Sequence, residues 1–200
     1  MSTLYGEEYP EKLGPVDPLA KDLVYVVGFP GSGKTSAVSI ALGDQISEVR
    51  TIPFAHTLHT NGIVELGERR EPYGGTDTLA MDIQPKVVNW LAQIIGMSRV
   101  SRHVIVGEGD RLGNLTFLNS AMELGWRVML VYLMTPELVA RERAWSRGSR
   151  FDEQWFHGRM VKVDNLVRNW EHKFRVIEGT RPVNEVGATL RTMIDGVIYG

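Results

Sequence analysis

The stretch "GFPGSGKTSA", Gly28 to Ala37, gathers glycines, a lysine and hydroxyl side chains into one short turn. Gly28, Gly33, Lys34 and Thr35 satisfy the spacing G-x-x-x-x-G-K-[ST]. Without side chains at Gly28, Gly31 and Gly33 the backbone can wrap closely, turning its N–H groups inward as an anion nest at the positive end of a helix. Lys34 is placed to reach the β- and γ-phosphates of a nucleoside triphosphate, and Thr35 to offer its hydroxyl to Mg²⁺. Ser32 and Ser36 belong to the same nucleotide-binding set. A nucleoside triphosphate with Mg²⁺ is the expected ligand.

Three other groups of residues could act on a phosphate held there. "HVIVGEGDRLGN" sets Glu108 and Asp110 just after an apolar run, where an acid can hold the metal or its water shell. Glycine stands at 107 where a strand-terminal aspartate is usual, so either Glu108 or Asp110 can take that task. "ARERAWSRGSR" supplies Arg141, Arg143, Arg147 and Arg150. Arginines closing over the transferred group stabilise its spreading negative charge, and Arg143 and Arg147, spaced i, i+4, can share a helix face. A solvated helix with incidental arginines is the plainer reading. "YGGTDTLAMD" carries Asp77, which could serve an acceptor hydroxyl as general base or orienter, or simply shape a turn. His56 and His59 flank a turn and are expected to face one side, as surface or packing residues.

The elements that must position these groups follow from periodicity and punctuation. Met1 to Lys21 reads as an extended lead-in dotted with Pro10, Pro15 and Pro18. "DLVYVVG", "RHVIVG", "WRVMLVYLM" and "RVIEG" read as buried strands. Asn61-Gly62 between apolar runs predicts a β-hairpin near residues 56 to 67. Helices are expected from Thr35 to Leu42, through "IQPKVVNWLAQIIGM", from Leu112 to Leu124, after Thr135 as cap and Pro136 as first helical residue, through "DEQWFHGRMVKVDNLVRNWEHKF", and from Pro182. Strands alternating with helices imply an α/β domain: a mostly parallel five-stranded sheet with helices on both faces, a hairpin insertion within 51–82 and an arginine-rich helical lid within 135–175.

Composition bounds the rest. Two hundred residues at 43% hydrophobic content suit one domain. With no cysteine there is no disulfide framework and no thiolate metal site. Neither a signal peptide nor a membrane span is recognisable, so a cytoplasmic location is expected. Net charge is −2, which offers no bulk attraction to nucleic acid. From Leu138 to Arg175, however, nine Lys or Arg against five Asp or Glu leave +4, either a solvated helical face or a surface that meets phosphates.

The strand, the GFPGSGKT loop, the lid arginines and the late "EGTRPVNEV" resemble the P-loop kinases that include nucleoside monophosphate kinases. That resemblance implies a P-loop NTPase three-layer sandwich with Gly179 to Pro182, including Arg181, passing beside the adenine. The acceptor side departs from it: the "DG-x-PR" pattern is replaced by "GEGDRLGN", and the acceptor-phosphate arginine after the first helix has no clear counterpart. "PFAHTL", "LGERREPYGGTDTLAMDIQPKV", "GEGDRL" and "FDEQWFHGRMVKVDNL" are similar to the phage kinases that phosphorylate 5-hydroxymethyluracil within DNA. This likeness implies ATP as donor, a base hydroxymethyl oxygen as acceptor, Asp77 as base, and a base flipped out or held single-stranded. DNA containing 5-hydroxymethyluracil is then the partner, in a phage-infected cell's cytoplasm. Trp155, Phe156, Arg159, Lys162 and Arg168 would form a strand-tracking surface, although such aromatics are more often helix core.

Two other readings stand beside this one: a kinase for a nucleoside monophosphate or other small metabolite, and a P-loop switch, motor or binder that is no kinase. The guanine-reading N-K-x-D is absent, since "VKVD" at 161–164 lacks its Asn.

Overall fold

The computed structural model describes residues 21–69, 74–97, 103–146 and 152–199. The expected lead-in before Lys21 lies outside them. Strand β1, Lys21–Val27, is buried at every position and feeds the glycine turn. It runs parallel to β5, His103–Glu108, on one side and to β6, Arg127–Met134, on the other. Strand β7, Phe174–Glu178, extends the sheet beyond β6, and β4, Ile63–Leu66, extends it beyond β5, both parallel. Strands β3, His56–His59, and β2, Ile46–Arg50, complete it in antiparallel fashion. The order is β2-β3-β4-β5-β1-β6-β7.

Seven strands therefore replace the five expected. The pair β3–β4 is no appendage: β4 hydrogen-bonds directly to β5, so the hairpin continues the main sheet. Strand β2 escapes a pattern-based reading because "ISEVR" is exposed throughout and shows no in-out alternation. The two histidines also part company. They are three residues apart on a strand whose side chains alternate, so they point to opposite faces. His56 packs with Phe54 and Trp90, while His59 Nε2 meets Glu65 Oε2 at 3.0 Å.

Helices cover both faces. Helices α1, Lys34–Leu42, and α6, Val183–Tyr199, place Ala37, Val38, Val186 and Leu190 on Val24 and Val26. Opposite them lie α2 (Gln84–Met97), α3 (Leu115–Glu123), α4 (Glu137–Ser146) and α5 (Glu153–Arg168). Their Leu91, Phe117, Ala140 and Phe156 share a core with Leu23, Tyr25 and Val27. Caps act where the chemistry allows: Asn114 accepts from Phe117 N, and Asp152 from Gln154 N and Trp155 N. Thr135 does not cap α4, because its hydroxyl is buried without a hydrogen-bond partner among the described residues. Among those residues no helix is long and apolar enough to cross a membrane. Because five strands run parallel, the segments after Val27, Leu66, Glu108, Met134 and Glu178 all emerge at one sheet edge.

Candidate active site

At that edge the glycine turn closes with Ser32 N bonded to Phe29 O at 3.0 Å, and Gly33, at φ 93°, starts α1 without a side-chain cap. The first helical N–H groups are thereby left for an anion. Lys34 Nζ donates to Gly28 O at 2.8 Å and to Phe29 O at 3.0 Å, folded back over its own loop. The Ser32 hydroxyl is buried with no hydrogen-bond partner among the described residues. A Cβ on Gly28 would stand 2.7 Å from that hydroxyl, so only glycine leaves the cradle open. An orphaned buried hydroxyl, free helical N–H groups and an ammonium at one concavity fit a polyphosphate. Ser36 sits half-buried in the next turn.

Of the two acids, Glu108 is the one brought to the turn: Thr35 Oγ1 donates to Glu108 Oε1 at 2.9 Å. Glu108 is 3% exposed. Burial pushes its carboxyl up to about 7, opposed by Lys34 and Thr35 and reinforced by Asp77. Asp110 turns toward α5, where Arg159 Nη1 lies 3.2 Å from its Oδ2 and Lys162 donates to its carbonyl oxygen. Burial lowers the Lys162 ammonium from its ordinary value, with Asp110 opposing. Among the described residues no cluster of three or more His, Asp or Glu is arranged to hold a metal alone. A cation beside Thr35 and Glu108 would complete its shell with phosphate oxygens and water, as Mg²⁺ ordinarily does.

The loop after β4 closes over these acids. Thr76–Thr78 forms a single 3₁₀ turn, with Thr78 Oγ1 bonded to Gly75 O at 2.8 Å. Gly75 lies against the acid, where a Cβ would come within 2.3 Å of Glu108 Oε1. Thr76 Oγ1 donates to Glu108 O at 2.7 Å, while the buried Tyr25 hydroxyl donates to Gly109 O at 3.0 Å and lies 3.0 Å from Thr76 Oγ1. Burial raises the Tyr25 phenol well above its ordinary value, so it stays protonated. Asp77 is exposed, and its Oδ1 accepts from Asp110 N at 2.9 Å. The sequence reading missed Tyr25, Gly75 and Thr76 as parts of this arrangement. The available signal was Tyr25 in a strand of smaller side chains, paired in register with Gly107, whose missing side chain makes room for the ring.

Helix α4 lies directly on the glycine turn: a Cβ on Gly31, at φ 81°, would fall 2.0 Å from Ala140 O. Arg143 Nη1 donates to Gly179 O at 2.7 Å, joining α4 to the loop after β7. Arg147 and Arg150 lie outside the described residues. Arg141 pairs with Glu137 and Glu153 and lies over the Phe156 ring, which makes it a crosslink between α4 and α5. Arg181 pairs with Glu185 Oε2 at 3.0 Å at the start of α6. On α5, Phe156 is core, whereas Trp155 is 47% exposed with the Arg159 guanidinium 5.5 Å from its ring centre.

No curated protein matches this chain. Among solved structures, an unliganded sugar kinase from Janibacter sp. HTCC2649 is similar at 16% identity, covering 88% of this chain and 95% of that one, with a TM-score of 0.49. A protein described as APE1195 is similar at 15% identity over 90% and 97%, with a TM-score of 0.44. Likenesses this distant carry no argument about substrate. The family P-loop Nucleotide Kinase3 matches residues 19–184, a span holding the phosphate cradle, the Thr35–Glu108 pair and the 74–78 loop, and the chain belongs to that family of phosphotransferases.

Proposed function

We propose that this kinase transfers the γ-phosphate of ATP, bound with Mg²⁺, to the hydroxymethyl oxygen of 5-hydroxymethyluracil in DNA. The observation that carries the reading is the placement of Asp77: an exposed carboxylate, fixed 2.9 Å from Asp110 N, on a loop whose Gly75 rests on Glu108. An acceptor hydroxyl beside Asp77 would sit next to the phosphate cradle and still be reached from outside. From Asp77 a chain of contacts runs through Asp110 to Lys162 and Arg159 and on to Trp155. Cations and an exposed indole beside an open carboxylate suit a polyanion with a base to stack. The likeness of "GERREPYGGTDTLAMD" and "GEGDRL" to the phage DNA kinases supports the same acceptor.

In this reading Lys34 and the backbone of Gly31 to Thr35 hold the β- and γ-phosphates, and Arg143 and Arg147 serve the lid side. Thr35 and Glu108 would hold the divalent cation, which when bound would supply positive charge against the β- and γ-phosphates. Asp77 orients the acceptor hydroxyl and takes its proton as the new O–P bond forms and the bond to the ADP leaving oxygen breaks. Gly179 to Pro182, with Arg181, flank the adenine.

Incubation with γ-labelled ATP and either DNA containing 5-hydroxymethyluracil, the free hydroxymethylated nucleotide, or unmodified DNA tests the assignment. Label is expected on the modified polymer alone. Label on the monomer instead would replace the DNA acceptor with a small one. Asp77→Asn should lower turnover by about a hundredfold or more while leaving ATP affinity intact; full turnover would remove Asp77 from the chemistry.

A further inference from the structure

Strand β2 is the edge strand at one end of the sheet, and among the described residues it pairs with β3 alone. All five of its residues are exposed. A free strand edge offers unpaired N–H and C=O groups to any extended chain, and proteins commonly guard such edges with lysines or proline. This edge instead carries one charge of each sign, in mirrored positions. The segment Ile46-Ser47-Glu48-Val49-Arg50-Thr51-Ile52 reads apolar, hydroxyl, acid, valine, base, hydroxyl, apolar. About Val49 its residue classes are symmetric, and its charges are complementary.

The geometry supports that pattern where it matters. Glu48, Val49 and Arg50 keep unbroken register with Leu58, Thr57 and His56, while the register shift falls between Ile46 and Glu48. Glu48 and Arg50 therefore share one face, with side chains 51% and 51% exposed and 2.8 Å apart. Val49, 56% exposed, lies on the other face together with Ile46. An antiparallel copy centred on Val49 would set Glu48 against Arg50 twice and valine against valine.

We propose that β2 is the interface of a homodimer, with two seven-stranded sheets continuing into one another across a two-fold axis at Val49. Self-complementarity is what a two-fold interface demands and what an unrelated partner has no need of. Opposite charges directly across two strands stabilise the pairing, whereas like charges oppose it. Backbone bonding supplies affinity, as in other strand additions.

Sedimentation of the full chain tests this. The wild type should be a dimer at micromolar concentration. Glu48→Arg and Arg50→Glu should each raise the dissociation constant at least about tenfold, since each sets like charges opposite one another twice. Mixed in equal amounts, the two variants should form a heterodimer, because one copy then presents two bases and the other two acids. Val49→Lys, which reverses no ion pair, should also yield monomers, with unchanged circular dichroism showing that the fold survives. A monomeric wild type, single variants as dimeric as the wild type, or a mixture that stays monomeric would each overturn the proposal.

Discussion

Glu108 is an acid enclosed by the Thr35 hydroxyl, the Gly75 backbone and the sheet, and its carboxyl is pushed from 4.5 to about 7. Between those two pH values the folded chain holds a proton that the unfolded chain has released. That group's contribution to stability is full below about pH 4.5 and is lost as pH rises through 7, with a span on the order of a few kcal/mol. In buffer free of metal and nucleotide, the melting temperature of Glu108→Gln should fall less than that of the wild type across this window. Equal slopes would show that Glu108 does not carry a raised affinity for protons. At this scale Lys34 and Thr35 were legible, because their spacing follows from a strand, a turn and a helix start, whereas the choice of Glu108 over Asp110 rests on the contact with Thr35. Tyr25 was not, since an aromatic ring in an apolar run reads as core until its hydroxyl is seen to reach Thr76 and Gly109.

Helix α4 shows how an element can be read from local signals while the contacts that fix it stay hidden. Its position after Pro136 was legible from start signals, but the arginines expected to form a lid divide by contact. Arg141 ties α4 to α5, and Arg143 holds the loop at Gly179. Contacts between distant segments leave no local signature, which is also why β2 and the continuity of the hairpin with the sheet escaped periodicity. The seat of α4 on Gly31 is specific enough to test. Gly31→Ala sets a side chain at positive φ against the Ala140 backbone, and should cost about 1–3 kcal/mol in thermal unfolding and weaken nucleotide binding. Gly125→Ala, also at positive φ but with nothing within 4 Å, should lose only about 1 kcal/mol and bind nucleotide normally. If both behave alike, the fit of α4 on the turn is unimportant.

For the whole molecule, one parallel sheet edge collects the glycine turn, both acids, the 74–78 loop and Gly179, so a ligand there touches most of the fold at once. ATP at a hundredfold excess over its dissociation constant should add about 2.7 kcal/mol to stability, seen as a melting temperature several degrees higher. Lys34→Ala should abolish that increment; a variant that still responds to ATP as the wild type does would show that Lys34 is not needed for binding. The α/β class and its layers were legible from alternating strands and helices, while the strand count depended on an edge with no apolar pattern. The contact of Gly75 with Glu108, tied off below by Tyr25, has a thermodynamic corollary. A ligand that reorganises Glu108 and one that reorganises the 74–78 loop draw on the same contacts, so their binding free energies are coupled. By linkage, whatever factor the first adds to the affinity for the second is returned in full.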